Sequence, residues 1–329
     1  MVTTKTFPSV SAAKDERTYE PTPQGELWRR TSSGQRARFL SEMDAAIPWA
    51  GLLDLFAEHY AYRVMGRPRM HLEFILRCHL VGLFYNLSGE GLTDALNDSE
   101  AFKRFIRLGL LEAEVPEEST LRNLRYLIEE KDLADKILRV VNESLGAKGL
   151  KMSQGTLVDA TIITASSSTK NQDKQRDPQM GSTKKNNNWH HGLKIHVGED
   201  AEANVVHHVE VTAASESDVG QSAKLFRETD QAGLGDKGYQ GAATGKVELY
   251  TPFKRGSMPE SLEGLRKAYN RQVASLRSKV EHGFRIIKCV FGWRKARYRG
   301  LRKNKTAFVT LVALANLYRN RKLFQSAMA

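Results

Sequence analysis

Three carboxylates carry the most chemistry in this sequence, and each sits where a carboxylate needs a physical reason to be. Asp159 stands in an apolar run with Leu157, Val158, Ile162 and Ile163, where a buried charge is costly unless it is paired or holds a metal. Asp236 lies in Gly235-Asp236-Lys237-Gly238-Tyr239. The glycines let backbone or ligand come close, although Asp beside Gly is also ordinary turn chemistry. Glu281 is placed by periodicity. Val273, Leu276, Val280, Phe284, Ile287 and Phe291 recur at spacings of three and four, which predicts one buried stripe on a helix. Arg277, Glu281 and Lys288 each follow a stripe residue by one position, so they form a second line about 100° around that helix, at the edge of the core. A helical pair of Arg277 with Glu281 would be worth only a few tenths of a kcal/mol, and it leaves unexplained why an acid between two bases borders the sheet.

The elements that must hold these residues have two textures. Residues 36–146 read as helices: after the Ile47-Pro48 break, Leu52, Leu53, Leu55 and Phe56 begin an apolar face, and Leu72, Ile75, Leu76, His79, Leu80 and Leu83 continue one at helical spacing. Gly89, Gly91 and Pro116 mark the next boundaries. Ser119 or Thr120 is expected to cap a helix with Leu121, Leu124, Leu127 and Ile128 inward and Arg122 and Arg125 outward, and a further helix runs to about Leu145. These helices suit a helix-turn-helix DNA reader and a packing or dimerisation module equally well.

From Gly155 the pattern is of strands: Thr156 to Ile163, Leu193 to Val197, and Val205 to Val211. A short helix near Asp218 to Thr229, the Asp236 turn, a strand at Val247 to Phe253 and a long helix after Pro259 follow. Three strands, helix, strand, strand, helix predicts an α+β fold, one mixed sheet flanked by helices, behind an all-helical N-terminal domain. The units expected are an arm over 1–35, a helical domain over 36–150 and the sheet domain over 151–329. Ala165 to Asn188, rich in Ser, Thr, Lys, Asn, Gln and Asp, reads as a long polar loop. Its Lys184 and Lys185, followed by Trp189, could grip a nucleic-acid backbone and stack a base, or simply stay solvated.

Charge placement narrows the partner class. Residues 251–329 hold 19 Lys and Arg against 3 Asp and Glu, a balance of +16, whereas residues 1–250 hold 31 against 35, a balance of −4. So concentrated an excess points to a polyanion, because neutralising phosphates releases counterions and steers association. Arg294, Lys295, Arg297, Arg299, Arg302, Lys303 and Lys305 would bind a DNA backbone without reading its sequence; the alternative is a solvated face. The arm lacks the apolar core of a secretion signal, and the run from Phe308 to Leu317 is too short to span a bilayer. A soluble cytoplasmic protein with no membrane partner is expected. Cys78 and Cys289 lack the spacing of a zinc or disulfide site. His190, His191, His196, His207 and His208 are expected to be core and surface residues, with His207 and His208 on opposite faces of a strand and His191 near the site.

Together these segments resemble the DDE transposases of the insertion sequence five family. The resemblance rests on Val158-Asp159-Ala160-Thr161-Ile162, the run from Thr183-Lys184-Lys185 to Trp189-His190 with Gly192-Leu193-Lys194, Gly235-Asp236-Lys237-Gly238-Tyr239, and Arg277 with Glu281 and Lys288. The last set is similar to a family signature of Tyr, Arg, Glu and Lys, with Ala274 where the tyrosine would fall. The resemblance implies a ribonuclease H-like catalytic domain with Asp159 on the first strand, Asp236 on the fourth and Glu281 on a later helix. These three acids would converge to hold two Mg²⁺ ions, Mn²⁺ substituting, since carboxylates suit hard cations and a metal pair stabilises both the attacking and leaving oxygens of phosphoryl transfer. Arg277 and Lys288 would hold flanking phosphates. The implied substrate is double-stranded DNA, both the element's terminal inverted repeats and the target, handled by a homodimer or larger assembly near the nucleoid. A nuclease of the same fold and a catalytically inactive DNA-binding repressor are the alternatives.

Overall fold

The computed structural model describes residues 34–60, 69–170, 172, 174–185 and 187–325. The expected arm over 1–35 therefore lies outside the described residues except for Gly34 and for Gln35, which begins a helix. Among the described residues, seven helices come first: α1 Gln35–Ala46, α2 Trp49–Ala57, α3 Leu72–Phe84, α4 Gly89–Asp98, α5 Glu100–Ile106, α6 Glu118–Glu130 and α7 Leu133–Ala147. The side chains of Ser88 and Ser99 cap α4 and α5 by accepting the Gly91 and Phe102 N–H groups. α6 starts earlier than its hydroxyl residues suggest. Glu117, just after Pro116, takes the cap position without a side-chain bond, and Ser119 and Thr120 fall inside the helix. Arg125 does not point outward either: it pairs with Glu129 and stacks on the Tyr298 ring.

α3 is buried on nearly all sides rather than along one face, so its charges must be satisfied inside the protein. Arg77 Nε donates to Glu73 at 2.8 Å, and its Nη1 donates to Asp44 at 2.7 Å and to the Phe105 carbonyl at 2.8 Å. Its guanidinium also lies 4.0 Å from the Trp49 ring centre, and Arg107 approaches Glu73 from the other side at 3.1 Å.

The sheet contains β1 Gly155–Thr164, β2 Gly181–Lys185, β3 Asn188–Asp200, β4 Val206–Ala213, β5 Ala232–Leu234 and β6 Glu248–Tyr250. Its order is β6-β5-β1-β3, with β2 and β4 sharing the outer edge of β3. β1, β3 and β4 run antiparallel in sequence, and β5 and β6 are parallel to β1. This is a mixed sheet of the ribonuclease H-like kind. One part of the expected polar loop is a strand: Gly181–Lys185 pairs with the start of β3. Asp236 consequently follows the fifth strand among the described residues, not the fourth. β4 carries a bulge opposite Gly198 and Glu199, which turns His207 and His208 the same way, with their Nδ1 atoms 2.9 Å apart. The expectation that they face opposite sides assumed unbroken alternation, which a bulge abolishes.

Leu157, Ile163, Leu193, Ile195 and Val197 are buried on one face of the sheet, under α9 Glu263–Arg285 and α10 Leu301–Asn320. The apolar run from Phe308 to Leu317 is the buried stretch of α10, and no helix among the described residues is long and apolar enough to cross a membrane. α10 also packs on α7, where Asn316 donates to Asn142 at 2.9 Å and to the Val206 carbonyl at 2.8 Å. The other face holds a smaller cluster of Val158, Leu225 and Tyr239.

Backbone proximity sets the register of the central strands. A Cβ on Gly192 would lie 2.1 Å from the Ile163 carbonyl oxygen of β1, so only a residue without a side chain lets β1 and β3 approach. Gly192→Ala should destabilise the fold by about 1–3 kcal/mol, as overpacking does, lowering the urea midpoint with little change in slope.

Candidate active site

The sheet opens beside the first acid. β5 pairs only with Gly155, Thr156 and Leu157, so the edge of β1 from Asp159 to Ile162 has no strand neighbour on that side. The turn after β5 and one face of α9 border this opening. They enclose a cavity of about 420 Å³ lined by Asp159, Asp236 and Glu281 together with Arg277, Lys184 and Lys185.

Each acid has a different local setting. Asp159 is pushed up to about 6, chiefly by burial, against the pull of the Arg277 guanidinium and the Ala160 N–H, with the charges of Asp236 and Glu281 adding to the rise. Its Oδ1 lies 3.5 Å from Arg277 Nη2 and accepts the Ala160 N–H at 2.9 Å. Asp236 caps a short 3-10 turn over Lys237–Tyr239, its Oδ1 accepting the Gly238 N–H at 2.7 Å. Glu281 is exposed on α9. The three acids share a cavity and feel one another, yet among the described residues no three His, Cys, Asp or Glu side chains stand close enough together to enclose a metal ion. Like charges repel, and two of the acids have turned to other partners, Asp159 to the Arg277 guanidinium and the Ala160 N–H and Asp236 to the Gly238 N–H.

The helix carrying Glu281 departs from the expected stripe at two places. Leu276 is exposed, while Val273, Val280, Phe284, Ile287 and Phe291 are buried. After Arg285 the chain winds as a π-helix over Ile286–Val290, which breaks the spacing that aligned Lys288 with Glu281. Lys288 Nζ instead donates to Thr161 Oγ1 at 2.6 Å and to the Ile162 carbonyl at 3.0 Å, pinning this turn to β1. Burial holds its ammonium below the usual lysine range, with Lys185 adding to the effect.

The hairpin of β2 and β3 places Lys184 opposite Trp189, and Trp189 is 72% exposed at its tip. The C-terminal basic run is more engaged. Arg297 donates to Asn86 and lies over the Trp293 ring. Arg302 donates to the Glu129 carbonyl and faces Asp132, Lys303 lies near the Tyr126 ring, and Lys305 pairs with Glu210. Arg299 is exposed. Lys295 is exposed beside the end of β1, where it bridges to Thr164, and Arg294 donates to the Lys288 carbonyl at 3.2 Å. Much of the run thus fastens the C-terminal segment to α6 and to the loop after α3. His191 bonds Ser182 and does not line the cavity.

Sequence reasoning missed two cavity residues. Asp218, at the start of the short helix Asp218–Gln221, and Lys194, on β3, both line it. Lys194 was visible in a motif but suggested no role, and nothing local to Asp218 distinguishes it from a turn residue. Tyr239 was visible too, but not that its hydroxyl would be buried without a hydrogen-bond partner. Burial, followed by the nearby charges of Asp218, Asp159 and Asp236, raises its tendency to hold the proton.

A family model described as Transposase DDE domain matches residues 151–317, just over half the chain, and a second, Transposase domain (DUF772), matches residues 29–144. The chain belongs to the DDE transposase family. The matched pair of domains is typical of bacterial insertion-sequence transposases. No solved structure matches the transposase. Membership implies an enzyme that acts on DNA with a divalent metal, and the acids of this transposase fit such an ion by their chemistry. They are oxygen donors suited to hard cations, and the proton affinity of Asp159, raised chiefly by burial and in lesser part by the charges of Asp236 and Glu281, marks a carboxylate whose charge a dication would relieve.

Proposed function

We propose that the transposase cleaves DNA at the ends of an insertion sequence and joins the freed 3′-hydroxyl to target DNA, using Asp159, Asp236 and Glu281 to hold two Mg²⁺ ions, with Mn²⁺ able to substitute. The observation that carries this reading is the shared cavity of those three acids with Arg277 at the open edge of β1. When bound, the metal pair supplies charge to the attacking and leaving oxygens of an in-line displacement. The protein does the rest by position. Arg277 exchanges its contact with Asp159 for a phosphate oxygen, and Lys288, held against β1, keeps the turn after α9 beside the cavity and adds a positive charge towards the flanking phosphate. Water adds to phosphorus at the element end as the P–O3′ bond breaks, releasing a 3′-hydroxyl; this hydroxyl then attacks a target phosphodiester as the target's own P–O3′ bond breaks, so that a new P–O bond joins element to target and a target 3′-hydroxyl leaves with a proton. No enzyme side chain forms a bond to DNA.

Lys184, Lys185 and Trp189 grip the strand backbone and stack a base, and the exposed members of the basic run, Arg294, Lys295 and Arg299 among them, extend that grip. Residues 151–329 form the catalytic unit and residues 36–150 a DNA-binding or dimerisation unit, so that two copies bring two element ends together. A precleaved end carrying a free 3′-hydroxyl, incubated with plasmid and Mg²⁺, should give joined product; cleavage of intact ends without joining would mark a nuclease instead. Replacing Lys184 and Lys185 by Ala should weaken binding to all duplexes alike and flatten the plot of log affinity against log salt by about 2, roughly one unit per lost phosphate contact. An unchanged slope would remove the hairpin from the DNA interface.

A further inference from the structure

The cavity holds a second cation–carboxylate pair that neither the family signature nor the three acids explain. Lys194 sits on β3 opposite Ile162 of β1. Its side chain is only 13% exposed, an unusual state for a lysine, whose long stem normally keeps its charge in water. The ammonium is clamped from two directions, donating to the Glu216 carbonyl at 2.6 Å and to Asp218 Oδ1 at 3.0 Å. An ammonium has three N–H donors. Two are used, and Lys194 and Asp218 both line the cavity that contains Asp159 and Asp236.

The surroundings of Asp218 suggest why it is there. His196 Nδ1, buried and without a hydrogen-bond partner, lies 3.7 Å from Asp218 Oδ1, and burial keeps that imidazole down at about 4, hence neutral. The unpartnered Tyr239 hydroxyl also lies within the influence of Asp218. Lys194 is therefore the cation bonded directly to this carboxylate, and its two bonds hold it fixed rather than free to swing. Fixing a charge before the ligand arrives is how a site avoids reorganisation when an anion enters. If Lys194 served only to neutralise Asp218, a solvent-exposed pair would suffice.

We propose that Lys194 is a phosphate-binding residue of the active site, gripping one backbone phosphate of the DNA strand that enters the cavity, and that Asp218 and the Glu216 carbonyl position it. Lys194 pairs with Ile162, three residues along β1 from Asp159 and about 10 Å away at strand rise; the odd offset puts the two side chains on opposite faces of the sheet, and both reach the cavity around the open edge of β1. The phosphate it holds is accordingly a neighbour of the reacting one. It sets the register of the strand rather than stabilising the reacting atoms. This role rests on the transposase reading for the identity of the ligand.

The test scans a duplex carrying the inverted repeat that flanks the coding region, replacing one phosphate at a time with neutral methylphosphonate. Affinity is measured without divalent metal, so no reaction is needed. For the wild type, the modification at one position near the cleavage site should cost about ten- to a hundredfold, the range for a hydrogen bond to a charged group. Lys194→Gln should lose a similar factor on unmodified DNA and lose nothing further at that position, while remaining additive elsewhere. Asp218→Asn should weaken the same position partly. Additivity at every phosphate, or a Lys194→Gln protein whose unfolding midpoint falls together with its affinity, would overturn the proposal and leave the lysine a structural pin. Failure of the transposase reading would register separately, as wild-type protein that binds the repeat but neither cleaves nor joins it in Mg²⁺.

Discussion

Asp159→Asn should abolish cleavage and joining, by about 10³-fold or more, while making the protein harder to unfold at pH 8. The loss follows from the proposed chemistry: an amide is a poor ligand for a hard dication, and the several kcal/mol of charge stabilisation that a metal supplies correspond to at least that factor. The gain follows from burial. With a side chain 15% exposed and its proton affinity pushed up to about 6 from 3.8, Asp159 is a charge the folded state tolerates poorly. Between those two values the folded protein binds more protons than the unfolded chain, so its stability falls as pH rises through that window. Above it the penalty approaches about 3 kcal/mol at 1.36 kcal/mol per unit. Asn carries no such penalty. The variant's advantage in urea midpoint should therefore be full at pH 8 and vanish near pH 4, and in the wild type the affinity for Mn²⁺ should fall as pH drops below about 6. A variant less stable than wild type at pH 8 would show that the pairing with Arg277 outweighs the burial.

Arg77→Leu should cost about 3–5 kcal/mol of stability, the range for removing one partner of a buried ion pair. Leucine fills much of the volume, but Glu73 is fully buried and would lose the Arg77 guanidinium while keeping Arg107, and Asp44 and the Phe105 carbonyl would each lose a donor. Arg77→Lys should recover little, because a single ammonium cannot reach Glu73, Asp44 and Phe105 from one planar fork and stack on Trp49. Chemical denaturation monitored by Trp fluorescence measures both. A loss under 1 kcal/mol for the leucine variant would mean that Arg107 takes over the network.

The parts legible in the sequence are those written in local periodicity. The helices of the first half, the strands at 155–164 and 206–213 and the long helix carrying Glu281 were marked by apolar spacing, and the carboxylates by their unsuitability for apolar or turn settings. Features that depend on distant partners were not legible. Lys184 and Lys185 look like loop residues because a strand this polar is stabilised only by pairing with β3. The C-terminal basic run looks like one DNA-facing surface because charge counting cannot see that Arg297, Arg302 and Lys305 already have partners in Asn86, Asp132 and Glu210.

By itself the sequence determined which residues could bear charge at a core edge, since hydrophobic periodicity assigns each helix and strand an inside and an outside without reference to anything else. Only the tertiary structure decided which of those charges meet. A β5 too short to cover β1 beyond Leu157 opens the edge where Asp159 lies, and the π turn after Arg285 diverts Lys288 to that strand. Burial of one carboxylate among others then draws Arg277 to Asp159. Each depends on strand lengths and packing between segments 77 or more residues apart, and coupling over that range leaves no mark in local spacing.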